Sequence, residues 1–230
     1  MSKFEEVTIG KCRLILVDCM DFMATLPDKA FDLAIVDPPY GLGDKLAVGG
    51  TKHMKFCERY QFSTRWDVAP KIDYFNELKR VTKNQIIWGG NYFDLGPTRG
   101  YAVWDKQQPV PNFSATEFAW ASFDVPSKIF RSSNNQHDVG GRIHPTQKPV
   151  KLYEWLLTNY AKQGDLILDT HLGSGSLAIA CNNMGYEMVG CELDTDYYAA
   201  ACKRIEQTYA QPRLFENTKP APPEQKELLR

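Results

Sequence analysis

The sequence predicts an α/β domain built on a mostly parallel sheet with helices on both faces. Three observations carry that expectation. The last third of the chain alternates strand-like and helix-like segments at short intervals, the pattern of strands joined by crossover helices. Residues 31–36 (FDLAIV) form a compact apolar run suited to a buried strand, closed by Pro38 and Pro39, which cannot extend a sheet ladder. The composition, 43% hydrophobic and 24% charged over 230 residues, is that of a folded domain large enough for one sizeable core.

In chain order, 7–9 and 13–17 read as two short strands joined at Gly10-Lys11, a hairpin turn. Residues 31–36 are the first buried strand. The stretch 41–67 is polar, contains glycine and has no clear period, so it is expected to be a long mobile loop beside the site. Ile72, Phe75, Leu78 and Val81 recur at helical spacing, and 85–88 then reads as a strand that stops at Gly89-Gly90. Residues 101–104, 118–121 and 128–130 are further strand candidates separated by turns. A helix is expected at 149–162, with Pro149 in the first turn where a missing N–H costs little. The strand 165–169, helix 174–184, strand 187–191 and helix 194–209 complete the alternation. Residues 1–210 are thus read as a single domain, and the proline-bearing, charged stretch 211–230 as a disordered tail.

Several classes are disfavoured by composition. No run of eighteen apolar residues exists to span a bilayer, and the first residues lack the apolar core of a signal peptide, so a cytoplasmic protein is expected. The six cysteines form no Cys-x-x-Cys pair and have no histidines at zinc spacing; they are read as reduced core thiols, and no metal is expected. Net charge is −1, yet 41–66 and 122–151 each carry five lysines and arginines against two acids. Two basic stretches of this kind suit a surface facing phosphates, although each alone also reads as a solvated loop.

Chemistry is concentrated in two places. In Asp169-Thr170-His171-Leu172-Gly173-Ser174-Gly175 a strand runs into a glycine-rich turn and opens a helix, where free N–H groups and bare backbone admit a ligand. Glu192 follows about twenty residues later at the end of the next strand, the place of a carboxylate that binds ribose hydroxyls, although it also stands where it would cap the helix that follows. No Gly-x-x-x-x-Gly-Lys-Ser/Thr is present, and Ala178 stands where a dinucleotide fingerprint has its third glycine. A ribose-bearing cofactor without pyrophosphate fits best, and S-adenosylmethionine is such a molecule. The second place is Asp37-Pro38-Pro39-Tyr40, a tetrapeptide expected by chance in roughly one chain of this length per thousand. It follows a buried strand, at the carboxyl edge where open α/β sheets bind ligands. A strand-terminating turn explains the prolines but neither the carboxylate nor the aromatic ring. An exocyclic amine explains all four residues: a carboxylate and a prolyl carbonyl accept its two N–H bonds, and a tyrosine stacks on an extruded base.

These motifs resemble the amino-methylating DNA methyltransferases of restriction–modification systems and phages, in the permuted (β-class) order that puts the catalytic tetrapeptide before the cofactor glycines. The resemblance spans roughly 13–205. It implies a Rossmann-like, S-adenosylmethionine-dependent methyltransferase fold and adenine N6 as the target, since aspartate heads the tetrapeptide. It also implies double-stranded DNA as substrate, with homodimerisation a further expectation. Asp37, Pro38, Pro39 and Tyr40 would be catalytic. The resemblance puts Asp18 and Cys19 at the cofactor's adenine and the segment His144-Pro145-Thr146-Gln147-Lys148-Pro149 at its methionine end, giving Thr146 and Lys148 as contacts. Asp37, Asp169, His171, Gly173, Ser174, Gly175, Glu192 and Leu193 complete the expected cofactor set. His171 departs from the family's usual Asp-Pro-Phe and is read as structural or as a replacement aromatic. The resemblance makes 107–142 a target-recognition insertion and Trp104-Asp105-Lys106 the segment that helps form the target-base pocket; with the two basic stretches, the expected DNA contacts are Lys45, Lys52, Arg59, Arg65, Lys106, Arg131 and Arg142, and Asn134, Asn135 and Gln136 are able to reach base edges. Three rivals remain: cytosine N4 or RNA as target, an inactive DNA-binding scaffold, and a nicotinamide-dependent reductase.

Overall fold

A computed structural model describes residues 4–42, 67–108, 114–133, 143–144 and 146–210. Its elements are β1 (Glu5–Ile9), β2 (Cys12–Leu16), α1 (Cys19–Met23), β3 (Phe31–Val36), α2 (Ile72–Val81), β4 (Thr82–Trp88), β5 (Gly100–Asp105), β6 (Thr116–Ala121), β7 (Lys128–Arg131), α3 (Val150–Tyr160), β8 (Leu166–Asp169), α4 (Ser176–Met184), β9 (Glu187–Glu192) and α5 (Thr195–Tyr209). The strands make one sheet in the order β1-β2-β9-β8-β3-β4-β6-β5-β7. The central run β2-β9-β8-β3-β4 is parallel throughout. β1 adds an antiparallel edge, and β6 turns the far end antiparallel by pairing with both β4 and β5.

The expected elements recur with ends shifted by a few residues. The parallel strands are buried on both faces, as crossover helices require. Leu14, Leu33, Ile35, Ile86, Trp88, Ile167 and Met188 face the layer of α3, α4 and α5, against Leu152, Leu156, Leu177 and Ile205. The alternate residues Ile15, Ala34, Val36, Ile87, Leu168 and Val189 face α1 and α2, against Met23, Phe75 and Leu78. One short helix, α1, was not anticipated; Asp18 caps it by accepting from the Met20 N–H at 2.8 Å.

Two features of this topology position the site. The chain turns outward in opposite directions from β3 and β8, which lie side by side, so a crevice opens above their carboxyl ends. Asp18, Asp37, Asp169 and Glu192 all follow or end parallel strands at that edge. The span 107–142, expected as an insertion, contains β6 and β7, and β6 sits inside the sheet between β4 and β5. Much of that span is therefore framework. Of the loop 41–67, residues 43–66 lie outside the described residues, as does the tail 211–230; the loop's two ends meet where Gly41 N donates to Asp67 Oδ1 at 3.0 Å. Among the described residues, no helix is long and apolar enough to cross a membrane.

Candidate active site

At the end of β3 the chain places the Asp37 carboxylate among donors from distant elements. Oδ1 accepts from the Tyr40 hydroxyl at 2.7 Å and Oδ2 from the Lys148 ammonium at 2.5 Å. Lys148 is only 3% exposed, and its ammonium also lies 3.2 Å from Glu117 on β6. Burial pushes its pKa down, but Asp37 and Glu117 outweigh that, so it is held above the ordinary lysine value and stays charged. Glu117 is kept below the usual glutamate value: burial works against the carboxylate, but Lys148 and Lys106 prevail. Lys106 closes the chain by pairing with the other Glu117 oxygen, its ammonium 5.4 Å from the Trp104 ring centroid. The expectation that Lys106 faces DNA is thereby corrected: the side chain turns inward because a buried carboxylate needs a second counterion.

Tyr40 lies over bare backbone. Its ring stacks on Tyr92 at 5.1 Å and 22°, with the edge of Phe93 at 6.2 Å. Gly89 has φ +70°, and a Cβ there would stand 2.3 Å from the Tyr40 ring, so only glycine allows the ring its seat. Burial and the neighbouring Asp37 raise the Tyr40 pKa well above the ordinary phenol value, leaving it a neutral donor. Tyr92 is half exposed.

Next to these rings, and lined in part by Asp37, Pro39 and Lys148, a cavity of about 740 Å³ runs along the carboxyl edge. Glu192 forms one wall. One oxygen accepts from Gly173 N at 2.9 Å, the other from Leu193 N and Asp194 N, both at 3.0 Å. Burial raises its pKa despite these three bonds. Glu192 does not cap α5; Asp194 does, accepting from Asp196 N and Tyr197 N. Asp18, Cys19, Thr146, Ser174 and Leu193 also line the cavity. The Cys19 thiol, its pKa pushed up to about 12 mainly by burial, stays protonated. Thr146 folds back on His144, with its hydroxyl 3.1 Å from Nδ1.

The glycine-rich turn divides its labour. A Cβ at Gly173 would meet nothing nearer than the His171 carbonyl at 3.8 Å, so the backbone is open to the cavity. Gly175 has φ +71°, and a Cβ there would strike Ile205 of α5 at 2.7 Å. Gly175 does not line the cavity; close helix packing, rather than cofactor contact, requires it. Asp169 is likewise set behind the wall, accepting from His171 N at 3.0 Å, with its pKa pushed up to about 8 chiefly by burial. His171 does line the cavity, held neutral because burial lowers its pKa to about 4. Its Nδ1 meets the Thr170 hydroxyl at 2.9 Å and its ring meets the Tyr74 edge at 5.4 Å, an aromatic wall rather than a base.

Three contributors were missed from the sequence. Glu117 and Tyr74 sit in segments with no motif. Arg204, 2% exposed, clamps the glycine turn through the Ser174 carbonyl at 2.7 Å and the Ser176 hydroxyl at 3.0 Å. Its signal was a cation on the apolar face of α5, between Ala201 and Ile205. Of the expected DNA contacts, exposed Arg131 lies 3.5 Å from Asp105; Lys45, Lys52, Arg59, Arg65 and Arg142 lie outside the described residues, as do Asn134, Asn135 and Gln136. The five described cysteines are free thiols, and the described residues hold no cluster of three or more metal-ligating side chains.

Residues 72–203 match the family model described as DNA methylase, of the N6/N4 methyltransferases. The type II methyltransferase M.HpaI of Haemophilus parainfluenzae is 24% identical over 241 residues, covering 86% of this chain and 75% of that protein. Among solved structures, PvuII DNA methyltransferase (cytosine-N4-specific) aligns with a TM-score of 0.60 at 14% identity, covering 88% of this chain and 92% of that one. The M1.HpyAVI–SAM complex aligns with a TM-score of 0.55 at 20% identity, covering 84% and 98%. These two share its fold. With the family model matched over more than half the chain, from α2 into α5, the protein belongs to the N6/N4 DNA methylase family.

Proposed function

We propose that this protein transfers a methyl group from S-adenosylmethionine to the N6 amine of adenine, at a specific DNA sequence, with the base turned out of the helix. The observation that carries this reading is the position of Asp37. Its carboxylate lies between the 740 Å³ cavity and the stacked rings of Tyr40 and Tyr92, where a methyl donor on one side would face an amine on the other.

The cavity suits the cofactor on its own chemistry. Glu192 is directed by three backbone N–H groups and suits a pair of ribose hydroxyls, while Gly173 leaves its backbone open. Asp18 stands at the adenine end and Thr146 and Lys148 at the methionine end. S-adenosylmethionine, when bound, supplies an electrophilic methyl carbon on a sulfonium. Asp37 accepts one N–H of the target amine and the Pro38 carbonyl the other, which frees the nitrogen lone pair from the ring. Tyr40 holds the base by stacking. Asp37 also stabilises the positive charge that grows on nitrogen, so catalysis is mainly positioning and electrostatics. Arg131 is proposed to meet the DNA.

The test is methylation of unmethylated DNA with labelled cofactor, followed by identification of the modified nucleoside. N6-methyladenine is expected. Cytosine N4 is the second reading, motivated by the fold shared with a cytosine-N4-specific enzyme, and recovery of N4-methylcytosine would establish it in place of adenine. No methylated base at all, with cofactor bound, would favour a DNA-binding scaffold.

A further inference from the structure

The Lys148 ammonium has three N–H bonds and three acceptors within reach: Asp37 Oδ2 at 2.5 Å, Glu117 Oε2 at 3.2 Å and the Tyr40 hydroxyl oxygen at 3.3 Å. It also lies 5.1 Å from the Trp88 ring centroid, a favourable cation–π placement. The Tyr40 hydroxyl takes Asp37 Oδ1, so both oxygens of the carboxylate are engaged by the protein's own donors.

The group that Asp37 serves in the proposed reaction is a nitrogen that carries N–H bonds and becomes cationic as it is methylated. Lys148 presents a group of the same kind to the same carboxylate. Two cations on one half-buried carboxylate repel strongly, because screening is weak there. A lysine that stayed on Oδ2 would oppose the charge that methyl transfer creates. It is too firmly charged to yield by losing its proton, since two carboxylates hold it. It has somewhere to go, however. Glu117 is already within 3.2 Å, and Lys106 pins the other Glu117 oxygen so that Oε2 stays aimed at the lysine.

We infer that Lys148 is an internal competitor of the target amine for Asp37, and that Glu117 is the carboxylate to which Lys148 withdraws as the base enters. Both are positioning residues: they keep the pocket shaped for a cation and set how readily a base is accepted. The inference rests on Asp37 being the amine-binding carboxylate.

Glu117→Gln leaves Lys148 with Asp37 as its only carboxylate among the described residues, so the KM for unmethylated DNA should rise about tenfold, the scale of one hydrogen bond between charged groups. The equilibrium affinity for the same DNA should weaken in parallel, with cofactor affinity unchanged. Adding Lys148→Met to Glu117→Gln removes the competitor and, measured at saturating cofactor because Lys148 also lines that cavity, should restore both values towards those of the unaltered protein. A network that is merely structural predicts a double variant at least as impaired as Glu117→Gln. That result, or a Glu117→Gln protein with unaltered KM, overturns the inference. If the methionine variant does not fold, Lys148→Gln makes the same comparison without the charge. Asp37→Ala assayed alongside separates the two failures. An active Asp37→Ala protein removes the amine-binding reading itself, and an inactive one beside an unrescued double variant removes only the competition.

Discussion

The two sides of the crevice handle charge in opposite ways. On the side proposed for the cofactor Glu192 is answered by three backbone N–H groups, and Asp18 by the first turn of α1; among the described residues neither forms an ion pair. On the base side Asp37, Lys148, Glu117 and Lys106 answer one another through side chains drawn from four separate segments. Backbone donors cannot leave, so the first arrangement fixes a carboxylate's direction for a ligand that always binds the same way. Side-chain ions can exchange partners, which suits the role proposed for this side, to accept an extruded base and then release it. The comparison teaches that preorganisation in this protein is of two kinds, one permanent and one exchangeable.

The sharpest way to break that contrast is Asp37→Ala. Methyl transfer should fall by about 10²–10³ or more, the scale of losing a group aimed at developing charge, while cofactor binding by calorimetry survives. Full activity would remove the base side from the chemistry altogether. Glu192→Ala should act on the other side alone. Its cofactor Kd should rise about 10- to 100-fold, as expected when hydrogen bonds to a charged group are lost, with kcat at saturating cofactor little changed. A kcat effect as large as the Kd effect would show that the two sides are not separable. Gly89→Ala tests whether the aromatic seat is rigid: a Cβ 2.3 Å from Tyr40 should cost about 1–3 kcal/mol in chemical denaturation and displace the ring. Unchanged stability and unchanged Tyr40 packing would mean the seat yields easily.

A last contrast lies in pH dependence. His171 is buried neutral, with its pKa lowered from 6.5 to about 4, so the unfolded chain takes up a proton that the folded chain refuses. It therefore lowers stability as pH falls from about 6.5 to about 4. Asp169 works the other way. With its pKa raised from 3.8 to about 8, the folded chain keeps a proton that the unfolded chain releases, and stability declines as pH rises across that window. His171→Phe should flatten the acid limb and Asp169→Asn the neutral limb in thermal unfolding measured against pH. If neither limb moves, the wall behind the cofactor cavity is wetter than its burial implies.

The cofactor side was the more legible in sequence, because its logic is local. A strand, two glycines, a helix and a carboxylate about twenty residues on are neighbours in one βαβ unit. Even there Gly173 and Gly175 looked alike, since only the approach of α5 through Ile205 separates a ligand-facing glycine from a packing one. The base side was legible at Asp37 and Tyr40 and opaque beyond them. Glu117 reaches Lys148 only because β6 is inserted beside β4, a pairing that no period or motif announces. Lys106 next to a pocket motif reads as a DNA contact until the β5–β6 register sets Glu117 opposite Trp104, within reach of that lysine. α1 is too short to show a helical period, leaving Asp18 as its only signal.

The bond from Gly41 N to Asp67 Oδ1 joins the two ends of the stretch that follows the tetrapeptide. Asp67 is itself buried at that point. The junction acts as a clasp: an alteration at Asp67 would be felt one residue past Tyr40, although the two bonded residues stand 26 positions apart in the chain.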